Sequence, residues 1–422
     1  MEQWIDIIAA GAGGLALAFF GLNILFHGSR AKQTREVNRL RAEKLREEIR
    51  LLQDARQKAA EGAPGWNGWR KFEVAKKVQE SSDICSFYLK PHDRKPIPSF
   101  KPGQYLTFNL DIPGERKPVV RCYSLSDCPH PDYYRVSIKR VPAPKSPPGL
   151  SPGKASTYFH DNIHEGDILD VKSPSGHFFF DTPSPRPVIL IGGGIGVTPV
   201  ISMLRELSKE KDGRKIFFYY GVRNGREHVL RDEMIEAAKA NPDVELVICY
   251  SKPDPEDVEG VHYTVESRVS VDLFKSRHDA NNYDFYLCGP PPMMSALTED
   301  LQAWGVPKKH VHYETFGPST VKSTTRPPIP MAKTTGETSS KVTFQRSGVT
   351  LPWTGIQTSI LELAEEEGIE MAAGCRAGNC GTCLVAVNSG KFKHVQDPGF
   401  EAEDGSCLAC IAVPDGELTI NA

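Results

Sequence analysis

Four cysteines near the carboxyl end of the chain have the spacing of a metal-cluster site. Three follow one another as C-x4-C-x2-C, at Cys375, Cys380 and Cys383, and Cys410 comes later. Plant-type [2Fe–2S] clusters are held by four thiolates with this spacing. Structural zinc sites usually pair two short C-x2-4-C knuckles, which would leave Cys375 unused. The spacing therefore predicts a [2Fe–2S] cluster on these four residues, with Cys407 as a non-ligand.

Glycines accompany the cysteine loop at Gly374, Gly378 and Gly381. Glycine adopts positive φ at little cost and lets the backbone approach another group closely. We therefore expect a tight loop around the sulfur atoms. A cluster of this kind carries one electron and does no bond chemistry, so the rest of the chain should contain the electron source.

A second run of residues that could bind a ligand is Arg121-Cys-Tyr123-Ser124. Short alternating apolar segments bounded by Pro and Gly surround it over residues 66–183, which is typical of an antiparallel β-barrel. A tyrosine ring can stack on a planar ring system, and the Ser124 hydroxyl group can hydrogen bond to a polar atom of such a group. Arg121 can pair with a phosphate through two N–H groups.

The pattern then changes to alternating strands and helices over residues 184–318, which is typical of a doubly wound parallel sheet. Its first strand runs into a glycine-rich turn at residues 192–199 that opens a helix. The N–H groups at such a helix start can hold a pyrophosphate. The turn is not the G-x-G-x-x-G fingerprint. A later strand ends in Cys288-Gly-Pro, where Cys288 could equally be a core residue.

Together these motifs resemble the ferredoxin–NADP reductase superfamily, and within it the oxygenase reductases with a carboxyl-terminal plant-type ferredoxin. The similarity covers residues 66–422 except for a linker and rests on R-x-Y-S, a GGxGxTP-like turn, the C-G-P run and the cysteine loop. It implies a flavin β-barrel, a doubly wound α/β NAD(P)H domain and a β-grasp-like ferredoxin domain. Electrons would then pass from NAD(P)H through the flavin to the cluster, with no catalytic acid or base.

The resemblance also implies which residues contact each cofactor. The flavin set is Arg121, Tyr123, Ser124, Val136, Ile138, Lys139, Gly153, Ser156, Glu314 and Phe316. The NAD(P)H set is Gly193, Gly194, Gly196, Thr198, Pro199, Arg223, Cys288, Gly289 and Pro290. Gly153-x-x-Ser156 favours FAD, as a diphosphate-binding turn, over FMN. A Ser-Arg pair that would read a 2′-phosphate is absent after residues 247–250, which favours NADH over NADPH.

Residues 5–26 are nearly continuous apolar sequence, and as a helix they would reach about 33 Å, enough to span a bilayer. No basic residue precedes them, which argues against a secretory signal peptide. Basic residues are frequent from Arg30 to Arg46, so the positive-inside rule places the later domains in the cytoplasm and the amino terminus outside. We expect one transmembrane anchor in the inner membrane over residues 1–29 and a basic helical stalk over residues 30–65.

The chain has 422 residues and a net charge of −2, which gives no indication of nucleic-acid binding. Its ten cysteines form no disulfide framework, which favours a reducing compartment. The predicted domains are the flavin barrel at 66–183, the NAD(P)H domain at 184–318, a linker at 319–340 and the ferredoxin domain at 341–422.

The function expected from the sequence is a membrane-anchored reductase that supplies electrons to an oxygenase-type partner, such as a hydroxylase, a desaturase or a cytochrome P450. The alternative is a quinone or ferric reductase with a small terminal acceptor. Steady quinone reduction by the purified protein alone would favour that alternative. A binding protein with degenerate cofactor sites would have lost some of the motifs that this chain retains.

Overall fold

The computed structural model describes residues 35, 38–39, 41–47, 65–115, 118–143, 152–180, 186–209, 213–316, 340–355, 357, 359–374, 376, 378, 381–395, 398, 400 and 402–422. Residues 1–62 and residues 63–422 form two separate units. In the first unit, residues 35, 38–39 and 41–47 belong to a helix, α1, with exposed side chains. The predicted anchor at residues 5–26 and nearly all of the predicted linker lie outside the described residues. Among the residues that are described, no helix is long and apolar enough to cross a membrane.

The first sheet of the second unit has six antiparallel strands in the order β4-β3-β6-β1-β2-β5. Its strands are β1 (Arg70–Ser81), β2 (Ile84–Pro91), β3 (Tyr105–Leu110), β4 (Val119–Ser124), β5 (Tyr134–Lys139) and β6 (Ile168–Ser175). Leu125, just past β4, pairs with Val136 of β5, so the two edge strands meet and the sheet closes. Helix α2 (Lys154–Asp161) packs Phe159 into the apolar interior. The predicted β-barrel is present.

The second sheet has six parallel strands in the order β10-β9-β8-β7-β11-β12. Its strands are β7 (Val188–Gly193), β8 (Ile216–Val222), β9 (Val244–Tyr250), β10 (Val265–Glu266), β11 (Asp284–Cys288) and β12 (Val311–Glu314). Its helices are α3 (Val197–Leu207), α4 (Arg231–Ala240), α5 (Val271–Arg277) and α6 (Pro291–Ala303), with 3₁₀ turns at Gly194–Gly196, Gly225–Glu227 and Lys308–His310. The strand order reverses between β7 and β11. In such sheets the ligand crevice lies beyond the carboxyl ends of the strands at this point.

The third sheet is mixed and has the order β14-β13-β17-β15-β16. Its elements are β13 (Lys341–Phe344), β14 (Val349–Pro352), α7 (Ile360–Glu366), β15 (Leu384–His394), β16 (Ser406–Leu408) and β17 (Ala412–Ile420). Strand β13 runs parallel to β17, and the other pairs are antiparallel. Helix α7 buries Ile360, Leu361 and Leu363 in the same apolar cluster as the sheet. The arrangement of one helix on a mixed sheet agrees with the predicted β-grasp-like ferredoxin domain.

Candidate functional site

Three strand ends of the parallel sheet meet at the same level. Cys288 at the end of β11 pairs with Gly192 of β7 on one side and with Glu314 of β12 on the other. Parallel strands place their carboxyl ends on one edge, so motifs that are far apart in sequence converge here. The predicted glycine-rich turn, the C-G-P run and Glu314 therefore form one continuous edge of the sheet.

The glycines of this edge are required by close packing. A Cβ atom on Gly196 would overlap the carbonyl group of Cys288, and one on Gly193 would overlap the sulfur of Met293. Gly194 has a φ of +51°, a conformation that glycine adopts at little cost. The turn thus lies directly against the start of the segment that follows β11. It leads into the first turn of α3, where the N–H of Val197 donates to the carbonyl oxygens of Gly194 and Ile195.

The hydroxyl group of Thr198 donates a hydrogen bond to the carbonyl oxygen of Ile195 at 3.0 Å, and Pro199 is buried in α3. These two predicted residues therefore shape the turn rather than present free polar atoms to a ligand. Gly289 is buried beside the backbone of Gly193, and Pro290 is exposed and precedes α6.

A hydrogen bond joins the barrel to this edge of the sheet. Ser124, the last residue of β4, donates from Oγ to Oε2 of Glu314 at 3.3 Å. Both residues are buried, with 5% of each exposed. Burial raises the pKa of Glu314 to about 8, and the hydrogen bond from Ser124 opposes the rise. Burial likewise raises the pKa of the Cys288 thiol, and the charge of Glu314 adds to this effect. The site therefore holds a protonated carboxyl and a neutral thiol near neutral pH.

The predicted diphosphate turn at Gly153 combines close packing with an unpaired hydroxyl group at the start of α2. Gly153 precedes α2, and a Cβ there would overlap Ser156 and Val141. The first-turn N–H groups of a helix lack helical acceptors, and Oγ1 of Thr157 is buried without a hydrogen-bond partner. Unpaired donors of this kind fit a bound phosphate group. Ser156 itself is occupied, because its hydroxyl group donates to the carbonyl of Gly153 and accepts from the N–H of Val141.

Two predicted flavin contacts on β5 have a different role in the structure. Val136 and Ile138 are buried in the apolar interior of the barrel, so their side chains are part of its core and only backbone atoms remain for a flavin. The Nζ atom of Lys139 lies 3.2 Å from a carboxylate oxygen of Asp83, which neutralises its charge. Phe316 packs against the core of the parallel sheet.

Arg121 and Tyr123 lie on β4, in the part of the barrel that faces the ferredoxin domain. The Tyr123 ring packs edge-on against Phe159 with centroids 5.3 Å apart. Arg121 donates to the carbonyl oxygen of Val120 at 2.7 Å. Burial lowers the pKa of Arg121, and the positive charge of Arg376 lowers it further. The partly buried positive charge of Arg121 favours a bound anion, which fits a flavin phosphate.

Two of the four predicted cluster ligands are described, and they lie together. The Sγ atoms of Cys383 and Cys410 are 3.1 Å apart. Gly378 and Gly381 have φ angles of +73° and +66°, as predicted, whereas Gly374 does not have a positive φ. Cys375 and Cys380 lie outside the described residues, and no group of three potential metal-binding side chains occurs among the described ones. A pair of adjacent sulfur donors on a glycine-rich loop fits half of a [2Fe–2S] ligand set.

The cysteine loop contacts the barrel. The ring of Phe400 packs on Gly381, where a Cβ atom would overlap it. The same ring meets His177, which follows β6 of the barrel, edge-on with centroids 5.6 Å apart. In the loop, Arg376 pairs through both terminal nitrogens with Glu365 of α7, with Nη1 at 2.7 Å. The structure therefore places Gly381 of the cysteine loop, through Phe400, against the barrel at His177.

Arg223, the predicted reader of the nucleotide ribose, is exposed after β8, and its Nε lies 3.6 Å from Glu227. A second acidic side chain lies at Gly225, two residues further along the chain. Asp257 accepts hydrogen bonds from the N–H groups of Gly225 at 3.0 Å and Asp254 at 2.8 Å. The acidic side chains of Asp254 and Asp257 were not predicted from the sequence. A group of buried charges that joins the barrel to the parallel sheet was also not predicted. The sequence signal for these buried charges was Arg135, a charged residue in the otherwise mostly apolar strand β5.

Three families match consecutive parts of the chain. They are described as the oxidoreductase FAD-binding domain at residues 71–180, the oxidoreductase NAD-binding domain at residues 190–299 and the 2Fe-2S iron-sulfur cluster binding domain at residues 342–415.

Curated relatives include the flavohemoprotein of Halalkalibacterium halodurans, 38% identical over 263 residues, which are 62% of this chain and 63% of that protein. The flavohemoprotein of Rhodopirellula baltica is 40% identical over 257 residues, 60% of this chain and 62% of that protein. The chain thus spans less than two thirds of the length of these relatives.

Two solved structures share the three-domain fold. An intact type IV self-sufficient cytochrome P450 monooxygenase has a TM-score of 0.60 and 23% identity, over 85% of this chain and 43% of that one. Phthalate dioxygenase reductase has a TM-score of 0.52 and 24% identity, over 84% of this chain and 98% of that one. The chain therefore carries an oxidoreductase FAD-binding domain, an oxidoreductase NAD-binding domain and a 2Fe-2S iron-sulfur cluster binding domain in that order, and its fold is similar to that of phthalate dioxygenase reductase.

Proposed function

We propose that this protein is an NADH-dependent reductase that delivers single electrons from its [2Fe–2S] domain to an oxygenase-type partner. The observation that carries the proposal is the hydrogen bond between Ser124 of the barrel and Glu314 of the parallel sheet, beside Cys288. It joins the predicted flavin strand to the predicted nicotinamide edge. When bound, FAD would accept a hydride from NADH and release single electrons toward the cluster.

The residues of the chain orient the reactants and exclude water. The turn at Gly193, Gly194 and Gly196 lets a dinucleotide approach the first turn of α3. Glu314 keeps its proton at neutral pH because its pKa is about 8. The protonated Glu314 carboxyl group therefore adds no negative charge beside a bound flavin, and it can donate a hydrogen bond. Burial of Ser124 and Cys288 keeps water from this edge.

The preference for NADH is supported by the charges beyond β8 and β9. Glu227 lies 3.6 Å from Nε of Arg223, and Asp257 accepts hydrogen bonds from the N–H groups of Gly225 and Asp254 in the neighbouring loops. Arg226 forms an ion pair with Asp254, with Nε and Oδ2 2.8 Å apart. A 2′-phosphate here would meet acidic groups and arginines that already have partners, which disfavours NADPH.

The reductase function can be tested with two cysteine variants. In Cys383→Ser, NADH should still reduce ferricyanide at the wild-type rate, because that acceptor takes electrons from the flavin, but cytochrome c reduction should fall at least tenfold. The matched control is Cys407→Ser. Cys407 is a fully buried thiol of the same domain and is predicted not to ligate the cluster, so both activities should remain. Loss of the rhombic electron paramagnetic resonance signal in Cys407→Ser would refute the ligand assignment. Absence of any NADH oxidation by the wild type would refute the proposed function.

We further propose that the acceptor is a membrane-bound or membrane-associated hydroxylase, desaturase or cytochrome P450, and that residues 5–26 anchor the reductase in the same membrane with the catalytic domains in the cytoplasm. Two solved proteins with a similar three-domain fold are a P450 monooxygenase and a dioxygenase reductase, which supports an oxygenase. Confinement to one surface raises the encounter frequency without any new contact. A plant-type cluster, at roughly −400 mV, can supply electrons for oxygen activation.

The anchor can be tested by comparing the full chain with residues 63–422, which form a compact unit. Both should reduce cytochrome c equally, because that acceptor is soluble. At low reductase concentration, only the full chain should support substrate oxidation in membranes supplied with NADH. Equal support by the shorter chain would contradict a membrane-bound acceptor, and steady quinone reduction by the purified protein would instead indicate a small terminal acceptor.

A further inference from the structure

Four charged side chains form a network between the barrel and the parallel sheet. Asp127 and Arg135 belong to the barrel, Arg205 to α3 and Glu233 to α4. The side chains of Asp127 and Arg135 are only 4% and 1% exposed. Arg135 binds both carboxylate oxygens of Glu233, with Nη2 and Oε2 2.9 Å apart. Nη1 of Arg205 lies 2.6 Å from Oε2 of Glu233 and 2.7 Å from Oδ1 of Asp127.

The network is fixed to the backbone on both sides. The Ser202 hydroxyl of α3 donates to the carbonyl oxygen of Asp127 at 2.6 Å. The Asp127 carboxylate also accepts from the N–H of Cys128 at 2.7 Å and from the hydroxyl of Tyr133 at 3.0 Å. Burial alone would lower the pKa of Arg135, but its hydrogen bonds with Glu233 and the charge of Asp127 raise that pKa above its ordinary value. Arg135 is therefore charged in the interior and depends on its two acidic partners.

The two sides of the network continue directly into the candidate site. Asp127 follows Ser124 on the segment that leaves β4, and β4 also carries Tyr123. Arg205 lies in the last turn of α3, the helix whose N-cap residue is Gly196. A rotation of one domain against the other would therefore stretch the ion pairs of Glu233 and the hydrogen bond between Ser124 and Glu314 at the same time.

We infer that Glu233 is a positioning residue, which clamps α3 against the barrel and thereby sets the geometry across which NADH reduces the flavin. This inference rests on the proposed function. Bidentate arginine–carboxylate pairs are directional, so a clamp of this kind fixes orientation as well as proximity. Removing one partner leaves a buried charge without compensation, which favours separation of the two domains.

The test compares Glu233→Gln with Glu245→Gln. Glu245 also pairs with an arginine, Arg277 at 2.7 Å, but both residues of that pair belong to the nicotinamide domain. In stopped-flow experiments, Glu233→Gln should lower the limiting rate of flavin reduction by NADH at least tenfold, while the KM for NADH and the flavin content change less than twofold. Amide hydrogen exchange in residues 125–128 and 200–207 should become faster. Glu245→Gln should leave all four quantities at their wild-type values.

Arg205→Lys is a second variant, in case Glu233→Gln does not fold. It keeps the charge, loses the fixed fork of donors, and should lower the same limiting rate about threefold to tenfold. A wild-type limiting rate in both variants, or a loss that is confined to KM, would overturn the inference. If the wild type itself does not oxidise NADH, the proposed function fails. The exchange comparison then still decides the clamp, because unchanged exchange in Glu233→Gln would contradict it.

Discussion

The buried carboxyl of Glu314 should make the stability of the protein depend on pH in a way that a single substitution removes. Burial raises its pKa from the ordinary value of 4.5 to about 8. Below pH 4.5 the folded and unfolded chains both hold this proton. As pH rises from 4.5 to 8, the unfolded chain releases the proton while the folded chain retains it, so the folded state loses stability. Each pH unit in this window costs about 1.4 kcal/mol, which sums to on the order of 5 kcal/mol.

Glu314→Gln abolishes this pH-dependent loss of stability, because an amide does not titrate. We therefore expect the unfolding free energy of the variant, relative to the wild type, to increase by several kcal/mol between pH 5 and pH 8 and to level off above pH 8. The measurement is urea unfolding of flavin-free protein, followed by circular dichroism at each pH. Glu245→Gln, at a half-exposed carboxyl, is the control and should follow the wild type. Parallel curves for the wild type and Glu314→Gln would refute a raised pKa at this site.

Two further predictions concern the binding of the cofactors. Gly196→Ala should weaken NADH binding at least tenfold without changing flavin content, because a Cβ there overlaps the carbonyl group of Cys288 and must push the two turns apart; a wild-type dissociation constant in a nucleotide titration would contradict this packing argument. Arg121→Ala should lower the flavin occupancy of the purified protein, since it removes a partly buried guanidinium group that favours an anion; full occupancy would show that phosphate is held elsewhere.

Much of the fold could be predicted from the sequence because the relevant signals are local. The long apolar runs of β7 and β11, each followed by glycine, indicated buried parallel strands. The cysteine spacing indicated the cluster loop directly. The two-residue strand β10 and the seven-residue helix α5 were not predicted, because such short elements carry too few residues for a periodic pattern.

The candidate site was predicted only in part, since its contacts join distant parts of the chain. Ser124 and Glu314 were both expected near a flavin, but their hydrogen bond spans 190 residues and no local pattern encodes it. Val136 and Ile138 were assigned from a motif, yet their alternation along β5 already placed them on one face of the strand. The structure shows that this face is the barrel core.

The geometry of the site therefore has two different physical origins. Backbone hydrogen bonding of parallel strands sets the alignment of Gly192, Cys288 and Glu314, and it is as rigid as the sheet itself. The alignment of Ser124 with these residues depends on how two domains meet. Apolar contact brings domains together but is non-directional, whereas buried ion pairs such as those of Glu233 hold one orientation. A reaction that requires two cofactors at a fixed separation needs directional contacts such as these ion pairs. This requirement explains why fully paired charges are buried between the barrel and the parallel sheet despite their desolvation cost.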